Sequence, residues 1–250
     1  MVYLTGDCHG EFSRLSSKAF AAQKTMTRED FVLICGDFGG IWHEDAQERY
    51  WLKWLEKKPF TLLFIDGNHE NYNRLYGDEF KVVDFHGGKA HKIRENIYHL
   101  MRGYVFDLCG KKFFAFGGAS CHDIDHGILK REEFATQRLF QNTCKRMSRQ
   151  GLRFRVEHES WWRQELPDEA EMARGLQSLA HHENRVDYVI SHCLPQSIYS
   201  NGVEDVLTAY FDRLLDQGLT FGRWFCGHYH RDHAITERFQ ILYRDVLRIV

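Results

Sequence analysis

Short apolar segments recur along the chain, and each ends in glycine and polar residues. Val2-Tyr3-Leu4-Thr5 runs into Gly6-Asp7-Cys8-His9-Gly10, Phe31-Val32-Leu33-Ile34-Cys35 into Gly36-Asp37, and Phe60 to Ile65 into Asp66-Gly67-Asn68-His69-Glu70. None of them alternates polar with apolar, so each predicts a strand covered on both faces. Helix-like stretches lie between them, at Phe12 to Gln23 and Glu44 to Lys58. Three successive strand–helix units therefore deliver polar residues to one place, the carboxyl ends of the strands, where open α/β sheets hold their ligands.

The second half is less regular. Tyr104 to Leu108, the turn Cys109 to Lys112, and Phe113 to Phe116 predict a hairpin. Residues 129 to 183 are strongly charged and predict helix, with breaks near Gly151 and Pro167. Val186 to Ser191 predicts a buried strand delivering His192; Val203 to Gln217 predicts a helix. Phe221 to Cys226 predicts a strand delivering Gly227-His228-Tyr229-His230, and Phe239 to Tyr243 a closing strand. With no repeat and no low-complexity linker, residues 1–250 read as one domain carrying a charged helical insertion at about 120–185.

Composition narrows the class. Of 250 residues, 43% are hydrophobic and 27% charged, which excludes a disordered chain, a collagen and a disulfide miniprotein. Net charge is −2, so global electrostatics favour neither nucleic acid nor an anionic membrane surface. The longest largely apolar run, Phe60 to Ile65, falls far short of the ~20 residues that span a bilayer. Seven cysteines without a C-x-x-C pair read as free thiols of a reducing compartment. No basic, then apolar, leader opens the chain, so the expected location is cytoplasmic.

The strand ends bring together Asp7 and His9, Asp37, Asn68 and His69, His192, and His228 and His230. A lone histidine after a strand is usually structural and a lone aspartate usually a cap. Convergence of carboxylate, imidazole and amide at one sheet edge points instead to a metal site. Residues i and i+2 of an extended segment point the same way, so Asp7 and His9 can grip one ion, and His228 and His230 can face a common centre. Cys8, between the first two, then points away; Cys35, Cys193 and Cys226 read likewise as packing. Nitrogen and oxygen donors without a thiolate suit Mn, Fe, Co, Ni or Zn better than Ca or Mg. Seven donors are too many for one ion and about right for two divalent ions sharing a carboxylate.

In that order, Gly6-Asp7-Cys8-His9-Gly10, Gly36-Asp37, Gly67-Asn68-His69-Glu70, His192 and Gly227-His228-Tyr229-His230 resemble the calcineurin-like metallophosphoesterases, from residue 5 to about 232 and on to the closing strand. The resemblance implies an α/β fold, a four-layer αββα sandwich of two mixed β-sheets flanked by helices. It implies that Asp7, His9, Asp37 and His230 hold one metal, and that Asn68, His192 and His228 hold the second with Asp37 bridging. It also implies a hydrolase of phosphate esters. Two ions about 3.5–4 Å apart can hold a water between them as an attacking hydroxide and clamp the phosphate oxygens. His69, not needed as a ligand, is placed to protonate the leaving oxygen; a third ligand or a packing residue is its other reading.

The pattern departs from the protein-phosphatase and dinucleoside-polyphosphatase branch. Gly36-Asp37 continues Phe38-Gly39-Gly40-Ile41-Trp42, and Asp66 stands where that branch has an arginine. Both phosphate-clamping arginines are missing from their expected places, as is the aspartate that orients the imidazole, for which Glu70, Glu44 or Asp45 are candidates. A diester carries one negative charge and suffers less from losing fixed cations than a monoester dianion does. The expected substrate is therefore a phosphodiester in a phosphorylated small molecule or nucleotide, with phosphomonoester hydrolysis the alternative. Nucleic acid is possible but not favoured, and no membrane partner is expected. A catalytically silent metal-bearing scaffold is disfavoured, since every expected ligand and His69 are present.

Further candidates lie outside the motifs. Ser120, His122 and Asp123 end another strand and are candidate substrate contacts, against a plain kinked loop. Arg138, Lys145, Arg146, Arg149, Arg153 and Arg155 form a basic stretch that reads as a solvated face rather than a polyanion site. Trp161-Trp162 reads as an anchor rather than a stacking platform.

Overall fold

The computed structural model describes residues 1–199 and 204–250. Two large mixed sheets face each other, flanked by helices, as the resemblance implies. The seven-stranded sheet runs in the order Leu247–Arg248, Val2–Thr5, Phe31–Cys35, Thr61–Ile65, Ile97–Leu100, Gly88–Arg94, Lys81–Phe85. The six-stranded sheet runs His233–Ala234, Phe239–Ile241, Thr220–Cys226, Arg185–Ser191, Lys111–Phe116, Tyr104–Leu108. The three motif strands Val2–Thr5, Phe31–Cys35 and Thr61–Ile65 are parallel neighbours in register, so their carboxyl ends coincide.

Each strand feeds two cores through its two-residue period. Val2, Leu4, Leu33, Cys35, Leu63 and Ile65 face inward and meet Phe113, Ala115, Ile190 and Phe225 of the second sheet. Tyr3, Val32, Ile34, Leu62 and Phe64 face outward under the helix Ala46–Glu56. The second sheet's outer face, through Phe114, Phe116, Val189 and Trp224, is covered by the helices Glu169–His181 and Val206–Asp216. Burial on both faces is why these strands carry no polar alternation.

Several expectations change. Phe12 to Gln23 forms two 3-10 turns, Ser13–Leu15 and Ala21–Thr25, instead of a helix. Its buried apolar residues, Phe12, Leu15 and Phe20, step by three and then five, which a 3.6-residue period does not sustain. The Val203 to Gln217 helix is observed as Val206–Asp216, and Val203 lies outside the described residues. Residues 129 to 183 contain the helices Gln137–Arg149 and Glu169–His181, separated near Gly151 and Pro167, with short strands at Ile128–Leu129 and Arg155–Val156 between and before them. Trp162 is fully buried, its ring 5.6 Å from Trp42 and 6.5 Å from Tyr72, so it does anchor this segment to the body. The basic residues Arg138, Lys145, Arg146 and Arg149 are exposed, whereas Arg153 pairs with Asp125 and Arg155 with Asp123 at 3.0 Å. Among the described residues no helix is long and apolar enough to cross a membrane.

Candidate metal centre

The polar residues after the parallel strands are stitched together before any ion is considered. The Asp37 carbonyl accepts from the backbone N–H of Cys8 (2.9 Å) and of His9 (2.8 Å). The His228 N–H donates to Asp7 Oδ1 at 2.9 Å, tying the end of the second sheet to the start of the first. His9, Asp37, His228 and His230 all adopt positive φ, between 47° and 67°. Left-handed backbone at non-glycine residues is uncommon and concentrates at functional sites. Gly67 shows why a small residue is required beside them: a Cβ there would overlap the Asp37 carboxylate.

Asp7, His9, Asp37 and His230 each offer a ligand atom, all within 4.8 Å of one another. That span is slightly wider than the ~4.2 Å between opposed ligands of one ion with bonds of ~2.1 Å. Asp7 is fully buried, and its Oδ2 makes no aligned hydrogen bond; it has only the imidazole nitrogens of His230 (3.0 Å) and His9 (3.8 Å) beside it. His9 Nε2 and His230 Nε2 lie 3.0 Å apart. A buried carboxylate oxygen with two imidazole nitrogens beside it but no aligned donor is what a shared cation would satisfy.

The remaining candidates sit on the other side of Asp37. His192, fully buried, donates from Nδ1 to the Cys35 carbonyl (2.8 Å) and turns Nε2 to Asn68 Oδ1 and Asp37 Oδ1, both at 3.3 Å. This is the orienting bond that metal-binding histidines use to fix their tautomer. His228 is buried with its ring 5.1 Å from His192. Asp37 faces both groups, Oδ1 toward His192 and Oδ2 toward His9 (3.7 Å), while Oδ1 also accepts from the His69 N–H at 2.7 Å.

Titration follows from this crowding. Burial lowers the His192 pKa, but the Asp37 and Asp7 carboxylates overcome it and raise it to about 10. Burial also opposes ionisation of Asp37, yet the surrounding imidazoles, His192 first, hold it below the usual carboxylate range. Burial and the His192 charge hold His228 neutral, well below the ordinary histidine value. The Asp7 carboxylate 3.0 Å from His230 raises that histidine's pKa. Buried carboxylates thus demand a positive charge, which a proton on His192 meets and a divalent cation would meet better.

His69 lies half-buried beside this group, its ring 5.2 Å from His9. Burial lowers its pKa, with Asp37 opposing and His9 and Arg155 assisting. Two of the three candidates for orienting it, Glu70 and Asp45, are committed elsewhere. Glu70 accepts from the N–H groups of Phe38 (2.7 Å) and Gly39 (3.2 Å), and Asp45 caps its helix by accepting from Glu48 N–H at 2.8 Å. Of the three residues at the end of Lys111–Phe116, His122 places its ring 5.3 Å from His228, and Ser120 lines the same cleft as His228 and His230. Ser120 donates to Asp205, and Asp123 pairs with Arg155. Cys8, Cys35, Cys193 and Cys226 are buried, and burial raises each thiol's pKa, in keeping with packing. Trp42 and Arg231 line clefts beside the cluster. The sequence reading does not single them out, and closeness to Asp37 and His230 in the chain is their only signal.

A family model for calcineurin-like phosphoesterases matches residues 1–232. Lariat debranching enzyme A of Xenopus laevis is 26% identical over 150 residues, covering 54% of this chain and 26% of its own length. Lariat debranching enzyme of Danio rerio is 29% identical over 148 residues, covering 53% of this chain and 23% of its own. The chain thus spans about a quarter of the length of these curated relatives.

Proposed function

Since the chain belongs to the calcineurin-like phosphoesterase family and is a phosphoester hydrolase, we propose that it cleaves phosphodiesters with two divalent ions held across Asp37. Asp7, His9, Asp37 and His230 hold one ion, and Asn68, His192 and His228 hold the other with Asp37. The observation that carries this is the Asp37 carboxylate, whose two oxygens face the two sets of imidazoles. Mn, Fe, Co, Ni and Zn all suit this mixed nitrogen and oxygen set. Bound there, divalent ions would lower the pKa of a water toward neutrality and neutralise phosphate oxygens.

A diester fits the site better than a monoester. Asp66 occupies the place of a clamping arginine, and the nearby Arg102 is locked to it at 2.7 Å inside the protein. The relatives' printed name also fits, because a debranching activity breaks an internal linkage instead of removing a terminal phosphate. The test is hydrolysis of bis(p-nitrophenyl) phosphate beside elemental analysis. The expected result is two divalent ions per chain, activity restored by Mn or a similar ion, and none after chelation. Undiminished hydrolysis by metal-free protein would overturn the reading.

His69 is the proton donor to the leaving oxygen in this scheme. Its lowered pKa leaves it mostly neutral at pH 7, so the protonated donor form grows only as pH falls below the ordinary histidine value. His69→Ala should slow cleavage of an alkyl diester by about 10²–10⁴-fold, the usual worth of a positioned acid. The loss should be smaller for a p-nitrophenyl ester, whose leaving group departs as a stabilised anion. Metal content should be unchanged; if it fell in step with the rate, His69 would be a ligand instead.

A further inference from the structure

Two clefts open beside the cluster, one at His9 and the other at His230, whose Nε2 atoms lie 3.0 Å apart. They differ in charge. The first, ≈ 300 Å³, is lined by His9 and His69, the indoles of Trp42 and Trp51, and the carboxylates of Asp45 and Glu48; no lysine or arginine lines it among the described residues. The second, ≈ 410 Å³, is lined by His228, His230, His122, Tyr199 and Arg231, with no carboxylate among the described lining residues. Both volumes lie at the small end of the ~300–1,000 Å³ typical of ligand pockets.

Groups behind each cleft temper this contrast, Arg74 at the first and Asp205, bonded to the lining Ser120, at the second. Glu48 is 2.7 Å from Arg74, which does not line the first cleft, and accepts from the backbone N–H groups of Trp42, His43 and Glu44, so its charge is offset from behind while no lysine or arginine lines the cavity among the described residues. In the second, the exposed Arg231 guanidinium lies 4.9 Å over the Tyr199 ring and donates to its hydroxyl. The neighbouring Asp232 is committed to the backbone N–H groups of Tyr243, Arg244 and Asp245. Arg231 is therefore held in place by an aromatic ring, with no ion pair to a carboxylate among the described residues.

We propose that these clefts fix the direction in which a diester is held. Its uncharged, planar leaving alcohol enters the Trp42–Trp51 cleft, and its retained arm, carrying a further phosphate, lies in the Arg231 cleft. The inference rests on the diesterase reading and on His69 as the acid, because a proton donor must lie within hydrogen-bond reach of the leaving oxygen. Indole faces accept any base or arene by stacking. The carboxylates beside them repel a second phosphate, which Arg231 attracts. One water is consumed: its oxygen bonds to phosphorus, the phosphorus–leaving-oxygen bond breaks, and the leaving oxygen takes the His69 proton, which the water replaces. The products are a neutral alcohol and a retained arm with two phosphates.

The experiment uses the metal-loaded protein and two thymidine dinucleotides, one phosphorylated at its 5′ end and the other at its 3′ end. Cleavage can release either thymidine plus thymidine 3′,5′-bisphosphate or two thymidine monophosphates, and chromatography separates them. Both isomers should give thymidine plus the bisphosphate in about tenfold excess, one good charge-assisted contact being worth about that factor. Arg231→Gln should bring the partition close to even, and Arg231→Lys should keep part of the preference. Two monophosphates as the main products, or a partition indifferent to Arg231→Gln, overturns the assignment, as does failure to cut either dinucleotide by protein that cleaves bis(p-nitrophenyl) phosphate. Failure on bis(p-nitrophenyl) phosphate itself removes the diesterase reading first, so the two failures are told apart.

Discussion

Asp37→Asn is expected to cut hydrolysis of bis(p-nitrophenyl) phosphate by about 10³-fold or more and to strip metal from the protein. A single oriented donor to a developing charge is worth about 10²–10³-fold, and Asp37 would serve two ions at once. Asn is the better probe than Ala for two reasons. Asp37 has φ 47°, a conformation that Asn shares readily and β-carbon-only side chains resist. The amide also keeps the size of the side chain, 1% exposed, and an oxygen able to accept from the His69 N–H. What it loses is the negative charge between His9 and His192. The Asp37 carbonyl still accepts from Cys8 and His9, so the loops should hold. Elemental analysis of the folded variant reads the outcome: full metal content with full rate would show that Asp37 does not bridge.

Asp37 is legible in the sequence as a candidate because it follows an apolar run, Phe31–Cys35, while much of its setting is not. Asp7, His9, Asp37, Asn68, His192, His228 and His230 stand at the ends of apolar runs that predict strands, and parallel pairing of those strands in register brings them to one edge. The period-2 burial of Val2, Leu4, Leu33 and Leu63 against Tyr3, Val32 and Ile34 follows from runs with no polar alternation. The strands Lys81–Phe85, Gly88–Arg94 and Ile97–Leu100 gave no such signal, since Lys81–Phe85 is largely exposed at the sheet edge and mixed in polarity. Leu247–Arg248, which pairs antiparallel with Val2–Thr5, is two residues long and more than two hundred positions from its partner. Nor does any local pattern predict positive φ at His9, Asp37, His228 and His230, because there the tertiary bonds impose a backbone that the residue type would not choose.

Asp66 is the clearest case of a residue whose chemistry the sequence left open. It interrupts the motif where relatives of one branch carry an arginine, and the structure turns that departure into an internal ion pair. Asp66 is fully buried and Arg102 is 1% exposed; Arg102 Nε reaches Asp66 Oδ2 at 2.7 Å, with Tyr72 Oη at 2.9 Å from the same oxygen and His99 Nε2 at 3.2 Å from Oδ1. Arg102 goes on to the Gln164 carbonyl at 2.7 Å and Glu171 at 3.1 Å, so it joins the first sheet to the covering helix Glu169–His181. Removing one partner of such a pair strands the other charge away from water. Arg102→Leu should therefore cost about 3–5 kcal/mol, a fall in Tm of about 10 °C for a protein of this size. Asp66→Asn added to it should recover much of the loss, because the stranded charge is gone. The pH dependence has a definite sign. Burial alone would raise the Asp66 pKa, but Arg102 and then His99 hold it below the ordinary carboxylate value. Its contribution is complete above the unfolded carboxylate pKa and is lost as pH falls through the folded value. In Arg102→Leu the unpaired carboxyl titrates upward instead, and protonation relieves it. The stability gap between wild type and Arg102→Leu should thus be widest near neutrality and narrow in acid; a gap that stays constant from pH 7 to pH 4 would mean that Arg102 acts by packing rather than by its charge.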